Sequence, residues 1–522
     1  MSGALAAPPA SAAPLRPERP LAARTARWIA VAAFLFFTLT GGGRIVGSDE
    51  VTMLDLAQAL LRGGIAVPLG ATLDGPDGRH YTKNAAGQAV VALPLVALAE
   101  TVAARLPLPE LRRALAVRFA VSFFNALVTA LLLAAFYRAV RSLGVRAGAA
   151  LAATLILGLT TPIWVYAKSF MAEPLQALGL LLAFSGSARA AAGEGRGAWW
   201  AALGVAVAVS VKLSMLPLAI VCLWPLRGAR RGDLVPPLVF LTLALAGHAF
   251  YDQVRFGTPF ETGYGTQAKP AAFSTPLPAG LYGLLLSSGK GIAWFAPMLW
   301  LAPSGWAAMR RARPESVRAA TSVLVATGLA LLGYAGFEHW AGDGSFGPRY
   351  LVPLLPLAFV PVAFLLDGAG AARKALAAAL AIAGFAVQVG GVAVYFGAQM
   401  REAGDYPYTR ALGDPRFMSE SHFNPRFSPI AGHWRMLARN LREHLAHSAP
   451  RLAVAGEVDA RLGVSGEDQR ALLHALDFWW LYLLYAGMPR MPVLVALLVL
   501  VLMAGWSASR VLAASADEAR AP

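Results

Sequence analysis

Long apolar runs separated by short basic clusters dominate the chain. They fall near 28–46, 114–137, 148–167, 172–189, 198–210, 213–226, 234–252, 291–309, 317–337, 350–366, 375–397 and 489–508. A transmembrane helix needs roughly 17–25 mostly apolar residues. The pattern therefore predicts an all-α polytopic membrane protein, a bundle of about 12 transmembrane helices. Lys212 interrupts the pair at 198–226, which reads either as one long helix or as a tight helical hairpin with the lysine at its tip. The run from Trp28 to Thr40 ends in Gly41-Gly42-Gly43-Arg44 and not in a small-residue cleavage pattern, so an uncleaved first span is expected.

The basic clusters orient these spans. Arg16, Arg19, Arg24 and Arg27 precede the first, and Arg138, Arg141 and Arg146 follow the second. Further clusters at Arg189 and Arg196, Arg227 to Arg231, Arg310 to Arg313, and Arg373 with Lys374 all fall inside if the N-terminus is cytoplasmic. Three polar segments, 47–112, 253–290 and 398–488, are then outside. The first holds an amphipathic stretch, Val51 to Leu61, and an apolar helix near 87–104. Spanning with that helix would invert every later loop, so both are expected as juxtamembrane helices on the outer face. The expected organisation is a disordered cytoplasmic tail at 1–27, a transmembrane catalytic module at 28–397, an outer cap at 398–488, and a last span with a cytoplasmic tail at 489–522. The expected location is a bacterial inner (plasma) membrane.

Composition narrows the class further. Only 14% of residues are charged and 57% are hydrophobic, against about 25% charged in soluble domains. Lipid must be part of the solvent. The net charge of +16 sits in the loops, where it sets topology and meets anionic headgroups, so membrane lipid and not nucleic acid is the expected partner. Cys222 is the single cysteine, which excludes an internal disulfide and a cysteine-based metal site.

Charged groups are costly near a bilayer, so those at the outer ends of spans are the candidates for chemistry. Asp49 and Glu50, after Gly47-Ser48, can serve as base or divalent-metal ligand, and equally as the acidic first turn of a helix. Tyr81-Thr82-Lys83-Asn84 precedes the surface helix, where Tyr81 can meet an acceptor and Lys83 a phosphate or the interface. Glu173 opens an apolar run as an acid or a cap. Ser287-Ser288-Gly289-Lys290-Gly291 places a lysine beside amide groups, a phosphate cradle or a turn with a snorkelling side chain. Glu338 to Tyr350 packs His339, Trp340, Asp343 and Arg349 into one polar segment, and Arg349 has the fork suited to phosphate or carboxylate. All five fall on the outer face. Together they suit an acceptor to be deprotonated and a phosphate-linked donor to be held. A divalent metal is the one cofactor the pattern leaves open, and no metal-ligand set is assigned.

These residues also carry a resemblance. The chain resembles the GT-C superfamily of glycosyltransferases, in the branch of protein O-mannosyltransferases and the transferase that adds aminoarabinose to lipid A. Asp49-Glu50 matches the family's first outer acid, Glu173 the second, and Gly204 through Lys212 its lysine-bearing Gly-rich run. The K-P-P-L or H-P-P-L signature of better-known members is replaced by Tyr81-Thr82-Lys83-Asn84, and Glu173 stands where aspartate is frequent. The resemblance implies a GT-C-like bundle and transfer of a hexose or pentose from a polyprenyl-phosphate carrier to a glycan, lipid or protein. It implies catalytic roles for Asp49, Glu50 and Glu173, with Asp49 the general base, and donor-phosphate contacts from Lys83, Lys212, Lys290 and Arg349. Tyr81, His339 and Asp343 are the expected acceptor contacts. The rival is a multi-span transporter or flippase, which would place its polar groups at the bilayer midplane in repeated broken helices.

Overall fold

The computed structural model describes residues 20–314, 316–404, 419–452 and 471–520. Among the described residues the only strands are a two-stranded antiparallel ribbon, Leu73–Asp74 against His80–Tyr81. Eight helices are long and apolar enough to cross a membrane: Pro20–Leu39, Gly87–Arg105, the nearly continuous Glu110–Ser142, Arg231–Phe256, Ser316–Gly336, Arg349–Asp367, Ala371–Ala393 and Arg490–Arg520. The protein is an all-α polytopic membrane protein. Several apolar runs of the sequence form shorter helices because prolines cut them. Ala147–Leu159 ends just before Pro162, and the 291–309 run becomes Ile292–Phe295, a 3₁₀ stretch at Pro297–Leu301 and Ala302–Ala312. Proline lacks the N–H that would continue the helix.

The first and last described helices hold each other. Residues 20–27, expected as tail, are already helical because the last helix runs alongside them to Arg520. The buried Glu518 carboxylate accepts from Thr25 Oγ1 (2.9 Å), Tyr137 Oη (2.7 Å) and Arg141 Nε (2.5 Å). Arg24 pairs with Asp517, and Arg146 with Asp367, at the same end of the bundle. The basic loops thus gather at one end, and Asp49, Glu173 and Arg349 meet at the other.

One helical hairpin fixes that far end. Glu173–Ala191 and Gly195–Val211 run antiparallel through facing small residues. A Cβ added at Gly186 or Gly204 would collide with the backbone of Ala201 or Ala183 across the interface. Small residues let two backbones approach closely where lipid supplies no hydrophobic drive between helices. This register carries Glu173, at the start of one helix, and Lys212, just past the end of the other, to the same place. At Lys212 the backbone is extended (φ −158°, ψ 121°), and the chain returns as Leu213–Gly228, so the lysine is the tip of a second hairpin.

Residues 48–121 form a group beside this end. Ser48–Leu61, Gly87–Arg105 and Glu110–Val121 pack on one another through Leu56, Ala57, Ala92 and Val96, all fully buried. The chain re-enters the bundle at Phe124, where Asn125 Nδ2 donates to the Met171 carbonyl at 2.7 Å, on the side it left after Leu39. The described parts of 398–488 cover that side, with Phe396–Glu402 and Pro429–Leu445 packed over Val394. Residues 405–418 and 453–470 of the expected cap lie outside the described residues.

Overpacking a tight interface costs about 1–3 kcal/mol. Gly186→Leu or Gly204→Val should therefore lower the melting temperature of the detergent-solubilised protein by several degrees. Gly148→Ala, which points into open space, should leave it unchanged.

Candidate active site

Arg349 bridges two acids from distant parts of the chain. Its Nε donates to Glu173 Oε1 at 2.5 Å and its Nη2 to Asp49 Oδ2 at 3.1 Å. Asp49 is in the first turn of Ser48–Leu61, and Glu173 opens its own helix, so both carboxylates also face helix N-termini, where negative charge is favoured. Lys83 reaches the other Asp49 oxygen at 3.4 Å. Glu173 Oε2 is buried without a partner, an acceptor oxygen left open beside the cluster. Burial by itself would raise the Asp49 carboxyl. The charges of Arg349 and Lys83 more than offset it and hold the group at about 2.

Arg349 is aimed by the loop before it. Gly342 and Gly347 take positive φ, as does Asp343 at 52°, a conformation that aspartate tolerates better than most residues. Lys290 holds this loop. Its buried ammonium donates to the Asp343 carbonyl (2.8 Å), the Ser345 carbonyl (2.7 Å) and Ser345 Oγ (3.1 Å). An ammonium has three donors, so Lys290 has none left for a phosphate. Its expected role as a donor contact is corrected to that of positioning the Arg349 loop.

Two further expectations change in the same way. Glu50 points away from Asp49. Its carboxylate accepts from the Gly47 N–H at 2.7 Å and from the Phe170 N–H, joining two chain segments, and burial pushes its carboxyl up. It is a cap and a tie, not a catalytic acid. Tyr81 is buried and donates to Asp77 Oδ2 at 2.7 Å, so its hydroxyl proton is taken up in closing the ribbon turn. His339 and Asp343 do lie together, with His339 Nδ1 3.5 Å from Asp343 Oδ1 and His339 Nε2 3.1 Å from Gln267 Nε2. The pairing with Asp343 holds the imidazole above its usual range.

A cavity of about 480 Å³ opens beside the cluster. Leu218, Phe273, Leu329 and Phe337 give it apolar walls, and Lys83 and Lys212 stand at its polar end with Tyr264, Tyr334 and Tyr350. Tyr334 and Tyr350 stack at 4.8 Å, and the Lys212 ammonium lies 4.7 Å over the Tyr350 ring. The chain from 257 to 276 walls one side through Thr262, Tyr264, Gln267 and Phe273. Tyr334 sits in an apolar run, where an aromatic residue looks like core, and Tyr264 sits among the glycines and threonines of the polar 253–290 segment, where nothing singles it out. Arg255 was missed too, although an arginine three residues after Asp252, at the end of the 234–252 apolar run, was its signal. It is 1% exposed, bound to Asp252 and donating at 2.5 Å to the Thr82 carbonyl, so it fixes the segment that carries Lys83. Among the described residues no three His, Cys, Asp or Glu side chains converge as a metal site would need. The two acids that do meet are already held by cations.

No protein-family model matches the chain, and no curated protein matches it. Among solved structures the chain is similar to ArnT from Cupriavidus metallidurans. In its apo state that protein gives a TM-score of 0.46 at 13% identity, covering 86% of this chain and 84% of that chain. Bound to undecaprenyl phosphate it gives 0.43 at 14% identity, with the same coverage.

Removing the bridge strands the buried Glu173 and the half-buried Asp49. Breaking a buried pair by deleting one partner costs about 3–5 kcal/mol, so Arg349→Met should lower the melting temperature markedly. Adding Asp49→Asn and Glu173→Gln to the same chain should recover much of that loss, because no uncompensated charge then remains.

Proposed function

We propose that this protein is a membrane glycosyltransferase that moves a sugar from a polyprenyl-phosphate carrier to an acceptor hydroxyl, with Asp49 as general base. The observation that carries this reading is the 480 Å³ apolar cavity ending in Lys83 and Lys212 beside a held carboxylate. An apolar wall with cations at one end suits a lipid tail bearing a phosphate, and a poised carboxylate beside it suits deprotonation of a nucleophile. The polar groups sit at one end of the bundle and not halfway along it, which disfavours the transporter alternative. Because the basic loops gather at the opposite end, the site belongs on the extracytoplasmic face of a bacterial inner membrane.

In this mechanism the phosphate enters beside Lys83 and Lys212, and Arg349 supplies further positive charge to the departing phosphate. A base at about 2 is a weak one, since the best catalytic pKa lies near the operating pH. A donor phosphate that draws Lys83 away from Asp49 removes one of the charges depressing it and strengthens the base at the moment of need. Glu173 Oε2, with no partner of its own, can accept a substrate hydroxyl.

Two measurements test the assignment. Asp49→Asn keeps the size of the side chain but not its basicity, so it should insert and fold yet lose about 10²–10⁴-fold in turnover. Full activity in a well-expressed variant would sink the mechanism. The second is a pH profile. The Asp49 carboxyl is depressed, so the ionised form persists well below neutrality and is lost only as pH falls towards about 2. Lys83→Met removes one depressing charge and should move the acid limb of kcat/KM to higher pH, an effect unlike simple loss of donor affinity.

A further inference from the structure

The basic loops gather at the end of the bundle that holds Glu518, yet a further set of arginines stands at the opposite end, on the helix Pro429–Leu445. Basic residues orient a chain from its cytoplasmic loops, so topology does not account for these. At 3.6 residues per turn the side chains of this helix fall into three sectors. His433, Met436, Leu437 and Asn440 form the first, buried against the protein. Trp434, Ala438, Leu441 and Leu445 form the second, an outward apolar stripe in which Trp434 is 42%, Leu441 44% and Leu445 80% exposed. Arg435, Arg439 and Arg442 form the third, along the edge of the stripe remote from the buried face.

Contacts with the bundle set the height of this helix. Ser428 Oγ, just before it, donates to the Ser288 carbonyl at 2.8 Å, and Asn440 Nδ2 donates to the Ala475 carbonyl at 2.9 Å. Trp434 Nε1 donates to the Ala386 carbonyl at 3.1 Å. Ala386 belongs to Ala371–Ala393, one of the helices long enough to cross a membrane, and lies about 10 Å before its end at 1.5 Å per residue. Ile382 and Phe385 of that span are exposed, so the apolar stripe continues the outward apolar surface of a membrane-crossing helix. Arg439 is engaged with Asn440, the Leu473 carbonyl and, at 4.0 Å, Glu402. Arg435 and Arg442 are exposed and donate to the Arg426 carbonyl (3.0 Å) and the Ala438 carbonyl (3.2 Å). Among the described residues no carboxylate pairs with either, so two positive charges stand uncompensated beside an apolar stripe.

We propose that Pro429–Leu445 lies in the membrane interface and selects anionic phospholipid headgroups through Arg435 and Arg442. A helix with tryptophan and leucine on one face and arginine beside it settles in the interface plane, its apolar face in the acyl boundary. Tryptophan favours the headgroup level. A guanidinium fork matches a phosphate, and a zwitterionic headgroup already carries its own ammonium, whereas an anionic one leaves its phosphate charge for the arginines. Charge alone would also suit an acidic protein. The continuity of the stripe with an outward-facing span favours lipid. This binding does not depend on the transfer reaction.

Cys222, the single cysteine, is buried, so a fluorophore on one introduced thiol reports its own surroundings. Leu441→Cys puts the probe in the stripe, and Ile382→Cys puts it on the outward face of the span. The full-length protein is held one copy per phosphatidylcholine nanodisc, with rising fractions of brominated phosphatidylglycerol or brominated phosphatidylcholine as quencher. Both lipids should quench both probes. At Leu441→Cys half-maximal quenching should need about a fivefold lower fraction of phosphatidylglycerol than of phosphatidylcholine, the scale of an arginine beside an anionic headgroup. At Ile382→Cys the two fractions should be equal. Adding Arg435→Gln and Arg442→Gln should abolish the preference at Leu441→Cys, while unchanged quenching of Ile382→Cys shows the bundle intact. A Leu441→Cys probe that neither lipid quenches overturns the interfacial placement and leaves water, an acidic protein or a second copy as what the stripe faces. Equal quenching by the two lipids at Leu441→Cys, a preference shared by Ile382→Cys, or one that survives the double substitution overturns the anionic selection.

Discussion

One guanidinium holds three remote pieces of chain in register. Arg349 meets Glu173 across 176 residues and Asp49 across 300. A buried Glu173 and a half-buried Asp49 on one side chain call for a cation between them, because desolvation and mutual repulsion would otherwise favour uptake of a proton. The loop that aims Arg349, the Lys290 ammonium that ties this loop down, and the Arg255 that fixes the Lys83 segment all serve that arrangement. Loss of any of them would be felt at the same carboxylates.

The scaffold makes the arrangement affordable by keeping flexibility away from it. Facing small residues in the 173–211 hairpin bring backbone against backbone, so the positions of Glu173 and Lys212 follow from steric contact and not from side-chain choice. At the opposite end Glu518 clamps the first and last helices through Thr25, Tyr137 and Arg141. The two charged clusters described thus sit at opposite ends of the bundle, away from the apolar length between them, as a hydrocarbon environment favours.

The solvent and the helical class were legible in the sequence, because apolar length and basic loops are local properties of the chain. The sequence also marked Asp49, Lys83, Glu173, Lys212 and Arg349, since a charge at the edge of an apolar run is conspicuous. It could not separate those five from Glu50, Tyr81 and Lys290, which look alike in one dimension. Only the tertiary structure showed that Glu50 spends its oxygens on the Gly47 and Phe170 amides, Tyr81 its hydroxyl on Asp77, and Lys290 its donors on Asp343 and Ser345. The pairing of Asp477 with Arg44 and Lys168 was equally invisible, because these partners lie more than 300 residues away. Whether a polar group is free for a ligand depends on which partners folding brings to it, and that is a property of long-range contact that no local pattern encodes.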